Sequence, residues 1–231
     1  MKFSFYVKQM IRSGAGLPAL KYFSRWQASM HPDANSVKDE QPWITFKAID
    51  FLSKNLNNAS VIFEYGGGGS TLFFVKRASR VETVEHNPEW FTILSDVMNK
   101  KAINNWKGNL ISGEKGDLFS PVDKSNPGHY SSGDKASFGF NYKKYVTHID
   151  QFPDATFDLV SVDGRSRASC IRHSIPKVKQ GGYLLVDNSD RDYYLIQNKS
   201  DLSKQFEVVL DGFGPTPYSE DFTRTTIWKK K

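Results

Sequence analysis

The sequence predicts an α/β fold in which five parallel strands and an antiparallel terminal pair form one sheet flanked by helices. Three observations predict this fold. From residue 60 onward, apolar runs of strand length alternate with stretches of helical periodicity. Four consecutive glycines follow the first strand, and the last two strands have no helix between them. The length of 231 residues suits one domain of this kind.

The elements follow in a regular order along the chain. Five apolar runs predict the parallel strands, at residues 61–65, 81–85, 109–112, 157–162 and 183–186. Helices are predicted to begin near Ser70 and at Pro88, a residue favoured at the first helical position, and the helix after the fourth strand is predicted to close at Gly181–Gly182. The terminal antiparallel pair is predicted at 206–210 and 225–228.

Two segments do not follow this alternation of strands and helices. Residues 1–59 are predicted to form an N-terminal helical cap, with a helix packed over the ligand cleft, and residues 60–231 form the sheet domain. Residues 119–150 interrupt that domain with an insertion rich in proline, glycine, serine and aromatic residues. Long irregular segments inside a domain are usually functional or disordered, so we expect the cap and the insertion to act as lids.

The composition excludes several classes of protein. The single cysteine, Cys170, cannot form an internal disulfide, and no Cys/His cluster has zinc-site spacing. Because the chain has neither a signal-peptide core nor a run long enough to span a bilayer, we predict a cytoplasmic protein without a transmembrane segment. The net charge of +6 is interspersed with acids, so no nucleic-acid partner is expected. The oligomeric state stays open, a homo-oligomer included.

The glycine run points to an adenosine ligand. Glycines between a strand and a helix let the backbone approach a ligand closely. A dinucleotide site would need glycine or alanine five residues after Gly66, where this chain has Thr71. Glu64 would repel a phosphate but attract an ammonium group, and Glu85, at the end of the second strand, can accept ribose hydroxyls. The pattern therefore favours a nucleoside with a cationic amino-acid part over a dinucleotide.

The pattern E-x-G-x-G-x-S over residues 64–70, together with Glu85, resembles motif I and the acidic second-strand end of class I S-adenosylmethionine-dependent methyltransferases. Their sheet is Rossmann-like with seven strands, and the resemblance runs from about residue 60 to 228. It implies that S-adenosylmethionine is the cofactor. The implied cofactor-binding residues are Glu64, Gly66, Gly68, Ser70, Glu85 and Asp163, with Glu114 and Asp117 bordering the adenine.

Acidic and amide side chains end two neighbouring strands. Asp163 follows the fourth strand, and Asp187 and Asn188 follow the fifth, so all three are expected at one edge of the sheet. Such oxygens suit Mg²⁺, which would lower the pKa of an acceptor hydroxyl. This arrangement resembles metal-dependent O-methyltransferases of the catechol and caffeoyl-CoA type, which implies that these three residues are metal ligands. The alternative is that the acids cap helices.

One departure from that resemblance concerns the base. Those enzymes generally carry a lysine shortly after the first aspartate, whereas this chain has Arg165 and Arg167. Arginine stays protonated, so Arg165 could clamp an anionic acceptor but could not remove a proton. The candidate catalytic residues are therefore Asp163 and Arg165. Three histidines are candidate bases by residue type alone: His129, His148 and His173.

The favoured function is methyl transfer to a hydroxyl of a small-molecule or glycan acceptor, in a pocket walled by Trp43, Tyr130 and Tyr142. Base methylation is disfavoured, because Asp163 is not followed by a Pro-Pro-aromatic loop and Cys170 has no preceding proline. A nicotinamide-dependent oxidoreductase on the same sheet would lack its third glycine and a Tyr-x-x-x-Lys pair. A non-catalytic binding protein that retains the fold is the remaining alternative.

Overall fold

The computed structural model describes residues 2–116 and 122–231. Within these ranges the α-helices are α1 (Lys2–Ser13), α2 (Phe23–Ser29), α3 (Phe46–Asn55), α4 (Gly69–Val75), α5 (Pro88–Lys100), α6 (Lys143–Thr147), α7 (Arg167–Ser174) and α8 (Lys199–Gln205). The strands are β1 (Val61–Tyr65), β2 (Arg80–Glu85), β3 (Trp106–Leu110), β4 (Glu114–Lys115), β5 (Phe140–Asn141), β6 (Phe157–Val162), β7 (Val178–Asp187), β8 (Phe206–Leu210), β9 (Phe213–Pro215) and β10 (Phe222–Lys230).

The central sheet has the order β3-β2-β1-β6-β7-β10-β8, and β9 pairs with the start of β10. Its first five strands are parallel, whereas β10 runs antiparallel to both of its neighbours. This confirms the predicted α/β fold with an antiparallel pair at the edge. Because Tyr65 on β1 is in register with Val84 on β2 and Val162 on β6, the carboxyl ends of these three strands meet at one edge of the sheet.

Apolar side chains cover both faces of this sheet. Along β1, Ile62 belongs to one buried cluster and Phe63 to the other, as the alternation of a strand requires. The first cluster also includes side chains of α1 to α4, and the second includes side chains of α6 and α7. Among the described residues, no helix combines the length and the hydropathy needed to cross a membrane.

The predicted end of the helix after the fourth strand is wrong, and the third strand lies at Trp106–Leu110 instead of the predicted 109–112. The helix after β6 ends at Ser174, and Gly181–Gly182 lie inside β7 instead of closing that helix. The pairing of β6 with β7 shifts register between Phe157 and Leu159, as in a β-bulge. Gly181 has a φ of +76°, a conformation that glycine adopts readily, so the glycine pair marks a strand irregularity and not a helix end.

The N-terminal helix does not pack over the glycine loop, so this expectation is also wrong. Helix α1 contacts β9 and β10 at the antiparallel edge of the sheet, where Tyr6 packs edge-on against Phe222 with ring centroids 5.0 Å apart. The cover over the glycine loop comes instead from the segment after α2, because the carbonyl oxygens of Ser36 and Gln41 approach Gly69 closely. The aromatic residues of α1 are therefore explained by packing at the sheet edge.

Candidate functional site

The glycine loop between β1 and α4 turns sharply and packs tightly. Gly66 has a φ of +90°, and a Cβ atom there would lie 2.9 Å from the Cα of Gly164. A Cβ on Gly69 would lie 2.1 Å from the carbonyl oxygen of Ser36. The backbones on either side of the loop leave no room for side chains at these two positions, which explains two of the four glycines.

Glu64 lies beneath this loop and not in it. Its carboxylate, only 1% exposed, accepts hydrogen bonds from the hydroxyls of Ser70, Thr71 (2.6 Å) and Thr83 (3.0 Å). The Thr71 hydroxyl in turn accepts the backbone N–H of Gly68. Burial raises the pKa of the Glu64 carboxyl to about 7, although the three hydroxyls act to lower it. Glu64 therefore holds the loop to the start of α4.

Glu85 ends β2 and supports the loop from the other side. One carboxylate oxygen accepts the N–H of Gly67 at 2.9 Å, and the other accepts the N–H groups of His86 and Asn87, both at 2.8 Å. Burial raises the pKa of Glu85, but the hydrogen bonds and the nearby His86 outweigh burial and leave this pKa lowered. Glu85 is therefore a charged carboxylate beside the loop.

A cleft of about 460 Å³ opens above the loop at the carboxyl ends of β1, β2 and β6. This volume lies in the range of small-molecule sites, about 300 to 1,000 Å³. The cleft is lined by residues 66–70, 85–87 and 163–165, together with Ser36, Trp43, Trp90 and Arg167. The structure thus brings six predicted site residues into one cavity: Gly66, Gly68, Ser70, Glu85, Asp163 and Arg165.

The other predicted cofactor residues lie elsewhere. Glu64 does not line the cleft, because its oxygens face the hydroxyls beneath the loop. Glu114 is on the short strand β4, where it is exposed and forms an ion pair with Lys144 at 2.5 Å. Asp117 falls outside the described residues.

The predicted metal ligands converge on an arginine. The guanidinium of Arg167 lies 2.8 Å from the Oδ1 atom of Asp163 and donates to the backbone oxygen of Asp187 at 2.6 Å and to the Oδ1 atom of Asn188 at 3.3 Å. The Asp187 carboxylate accepts a hydrogen bond from Thr225 at 2.6 Å, and none of the hydrogen bonds found among the described residues joins it to Arg167. Sequence reasoning placed the three residues at one edge but missed the cation between them.

These residues do not fit a magnesium ion. The guanidinium already uses oxygens of Asp163 and Asn188 that the ion would need, and Thr225 on β10 occupies one oxygen of the other predicted carboxylate, Asp187. Among the described residues, no group of three or more acidic, histidine or cysteine side chains could hold a metal. We therefore derive no chemical step through a metal.

The partly exposed Asp163 and the buried Asp187 share the charge of Arg167. Burial raises the pKa of Asp163, while Arg167 and Arg191 lower it. Burial and the charge of Asp163 raise the pKa of Asp187 to about 7, and Arg167 again acts in the opposite direction. Removing the guanidinium would leave both acids without their nearest positive charge.

Arg165 connects the cleft to the insertion. Its Nε donates to Nε2 of His86 at 2.9 Å, and its terminal nitrogen lies 2.8 Å from Asp134. Because arginine only donates, Nε2 of His86 accepts, and the ring proton belongs on Nδ1. That Nδ1 atom lies 2.8 Å from a Glu85 oxygen. Polar contacts thus run in a row from Glu85 through the neutral His86 ring and Arg165 to Asp134.

His86 is the cleft histidine that sequence reasoning missed. Its position directly after the acid at the end of β2 was the available signal, because that position projects from the same strand end as Glu85. The three histidines proposed as bases lie away from the cleft lining. His129 accepts the N–H of Asp123, His173 pairs with Asp150, and His148 lies 3.6 Å from Glu82.

Of the three aromatic residues proposed as pocket walls, one lines the cleft and two do not. Trp43 lines the cleft. Tyr142 is buried and packs edge-on against His86 with centroids 6.1 Å apart, and Tyr130, in the insertion, packs against His173 of α7. A second, larger cavity of about 1,080 Å³ lies within the insertion and has Asp134 in its wall. The ion pair of Asp134 with Arg165 therefore joins the two cavities.

No family model and no curated protein matches this chain, whereas solved structures do. A candidate O-methyltransferase from Klebsiella pneumoniae matches at 13% identity with a TM-score of 0.55, covering 89% of this chain and 85% of its own. The candidate methyltransferase SMU.1697c from Streptococcus mutans, solved with S-adenosylhomocysteine (SAH), matches at 12% identity with a TM-score of 0.53. The match covers 80% of this chain and 96% of that protein. An rRNA methylase from Streptococcus thermophilus matches at 13% identity with a TM-score of 0.50. The match covers 80% of this chain and 94% of that protein.

At these identities the similarity establishes the fold, and the chain has the Rossmann-like methyltransferase fold.

Proposed function

We propose that this protein transfers a methyl group from S-adenosylmethionine to a hydroxyl of a small-molecule or glycan acceptor. The observation that carries the proposal is the cleft above the glycine loop, where the predicted loop residues, Glu85 and Asp163 line one cavity at the carboxyl edge of a methyltransferase-type sheet. Ligands of open α/β folds bind at this edge.

Glu85 is the residue we propose for the ribose of the cofactor. An ionised carboxylate offers about four lone-pair sites. The Oε1 atom already faces two backbone N–H groups and the His86 ring, whereas, among the described residues, Oε2 accepts only the N–H of Gly67. The remaining site on Oε2 suits one ribose hydroxyl, which refines the sequence-based expectation that Glu85 accepts both. Glu64 contributes indirectly, by fixing the loop.

We propose that Asp163 positions a hydrogen-bond donor of the bound cofactor or acceptor. Its Oδ1 atom is held by Arg167, while none of the hydrogen bonds found in the described part of the chain uses Oδ2. S-adenosylmethionine supplies the methyl group and the sulfonium leaving group. His86 is the proton acceptor we favour, because it lines the cleft as a ring that can be protonated on Nε2 when Arg165 moves aside.

The charges of the cleft favour an uncharged acceptor. Arg165 is paired with Asp134 and Arg167 with Asp163, so neither arginine carries surplus charge for phosphate groups. The cavity in the insertion, which adjoins the cleft at Asp134, combines polar side chains with two exposed aromatic rings, Phe138 and Phe140. Aromatic walls with a few polar groups suit a small hydroxylated molecule better than a polyanion.

Calorimetric titration with SAH and, separately, with NAD tests the cofactor. We expect SAH to bind and NAD not to bind, and Glu85→Gln to weaken SAH binding about tenfold, since about 1.4 kcal/mol accompanies the loss of a charge-assisted hydrogen bond. Binding of NAD alone would show that the protein is a nicotinamide-dependent enzyme.

Mass spectrometry after incubation with S-adenosylmethionine and a panel of hydroxylated acceptors, with an rRNA fragment included, tests the acceptor. A methylated small molecule supports the proposal, and methylation of the RNA alone contradicts it. With the acceptor in hand, His86→Gln should lower kcat about 10²-fold or more, as expected for loss of a general base, while SAH affinity changes little. An unchanged kcat would remove His86 as the base.

A further inference from the structure

The guanidinium of Arg167 has all of its hydrogen-bonding capacity in use. A guanidinium carries five N–H groups. Its Nε donates to the carbonyl oxygen of Gly164 at 3.0 Å, and one terminal nitrogen donates to Asp187 O at 2.6 Å and Asn188 Oδ1 at 3.3 Å. The other terminal nitrogen donates to Asp163 O at 3.1 Å and lies 2.8 Å from Asp163 Oδ1. Five oxygens thus surround one fixed positive charge, and we call them the oxygen ring.

The oxygen ring has the composition of a site for a hard cation. One carboxylate, one side-chain amide and three backbone carbonyls are the oxygen types that bind Ca²⁺ or Mg²⁺ in proteins. The ring is also shielded, because the Arg167 side chain is only 11% exposed and lies 5.2 Å from the ring centroid of Tyr194. The positive charge of the guanidinium therefore stabilises these oxygens electrostatically.

We propose that Arg167 is the resident cation of this edge of the sheet and replaces a divalent metal ion. It joins the end of β6 to the end of β7 and holds Asp163, a residue of the cleft wall, by one oxygen, while no hydrogen bond found among the described residues uses the other. Because all five donors are engaged within the protein, Arg167 binds no substrate and acts as a positioning residue. The chain is then independent of added metal.

This inference concerns the same cleft as the proposed function but can be tested without any methyl donor or acceptor. The experiment titrates the protein with Mn²⁺ alone and follows free Mn²⁺ by electron paramagnetic resonance. Wild-type protein is expected to leave the Mn²⁺ signal unchanged. Arg167→Ser removes the guanidinium and exposes the oxygen ring, so it is expected to bind Mn²⁺ with a Kd on the order of 10⁻⁴ M, typical of sites with few charged ligands.

Two variants complete the design. Arg172→Ser removes the same charge from the same helix at a half-exposed position away from the oxygen ring, and it should bind no Mn²⁺. Adding Asp163→Asn to Arg167→Ser removes the single carboxylate of the ring and should abolish the binding gained. Circular dichroism establishes that each variant is folded.

Two outcomes would overturn the proposal. The first is stoichiometric Mn²⁺ binding by the wild-type protein that Asp163→Asn removes. The second is a folded Arg167→Ser variant that binds no Mn²⁺, because the oxygen ring is then not a cation site. If Arg167→Ser does not fold, Arg167→Lys takes its place: the ammonium retains the charge, so no Mn²⁺ binding is expected, and binding would overturn the proposal. Failure of SAH binding would contradict the proposed function and leave these Mn²⁺ results unaffected.

Discussion

Two regions at the same edge of the sheet stabilise carboxylates in opposite ways. Beneath the glycine loop, Glu64 is surrounded by three neutral hydroxyls. At the ends of β6 and β7, Asp163 and Asp187 share the charge of Arg167. Burial raises the pKa of Glu64 to about 7 because the three hydroxyl hydrogen bonds offset it only in part, so that acid can be protonated near neutral pH. We therefore expect the loop to tolerate the loss of one hydroxyl partner, and the strand ends to depend on the single cation.

Arg167→Met tests the strand-end region most severely. Removing one partner of a fully buried ion pair costs about 3 to 5 kcal/mol. Because the Asp163 side chain is 28% exposed, we expect the lower end of this range, about 3 kcal/mol, in the free energy of unfolding measured by urea denaturation at pH 7. Arg172→Met, on the same helix but half-exposed, should cost no more than about 1 kcal/mol. Equal effects of the two variants would show that the strand ends do not depend on the cation.

Glu64→Gln tests the loop region through pH. Because burial raises the Glu64 pKa from 4.5 to about 7, the folded state binds more protons than the unfolded state between these values. The free energy of unfolding contributed by Glu64 therefore falls as the pH rises from 4.5 to about 7. The shift corresponds to about 3 kcal/mol.

The measurement is urea unfolding of the wild-type protein and Glu64→Gln at several pH values across that window. The stability of the wild type relative to the variant should decrease with rising pH, since glutamine does not titrate. Parallel curves for the two proteins would mean that Glu64 titrates as an ordinary exposed acid.

Thr71→Val examines one hydroxyl of the loop at nearly constant volume. It removes a donor to Glu64 and the acceptor for the N–H of Gly68. An unsatisfied buried polar group costs about 1 to 3 kcal/mol, so the effect on the free energy of unfolding should be smaller than that of Arg167→Met. A loss as large as that of Arg167→Met would show that the loop is no more tolerant than the strand ends.

Glu114→Ala should have the smallest effect. Its ion pair with Lys144 is exposed, so a stability change within about 0.5 kcal/mol is expected, and calorimetry should give an unchanged SAH affinity. A marked loss of SAH affinity would return Glu114 to the adenine site that the sequence predicted.

The sequence predicted most of the fold because its signals are local. The apolar runs of β1, β6 and β8 were predicted at their observed bounds, since the run of apolar residues and its flanking turns define a buried strand. Gly181–Gly182 were misassigned because a bulge and a helix end use glycine for the same conformational reason. The helix predicted over the cleft was misplaced because amphipathicity shows that a helix is covered but not by what.

The candidate site was likewise predicted from the sequence only in part. Spacing along parallel strands was sufficient to bring Gly66, Glu85 and Asp163 to one cleft, because parallel strands end at a common edge. Spacing was not sufficient to show that Arg167 lies among the predicted metal ligands, that Glu64 faces hydroxyls beneath the loop, or that His86 lines the cleft. Those arrangements depend on side-chain rotamers and on contacts between segments far apart in the chain. The sequence by itself determined the sheet and the edge at which a ligand binds, and only the tertiary structure decided which partner each buried charge has.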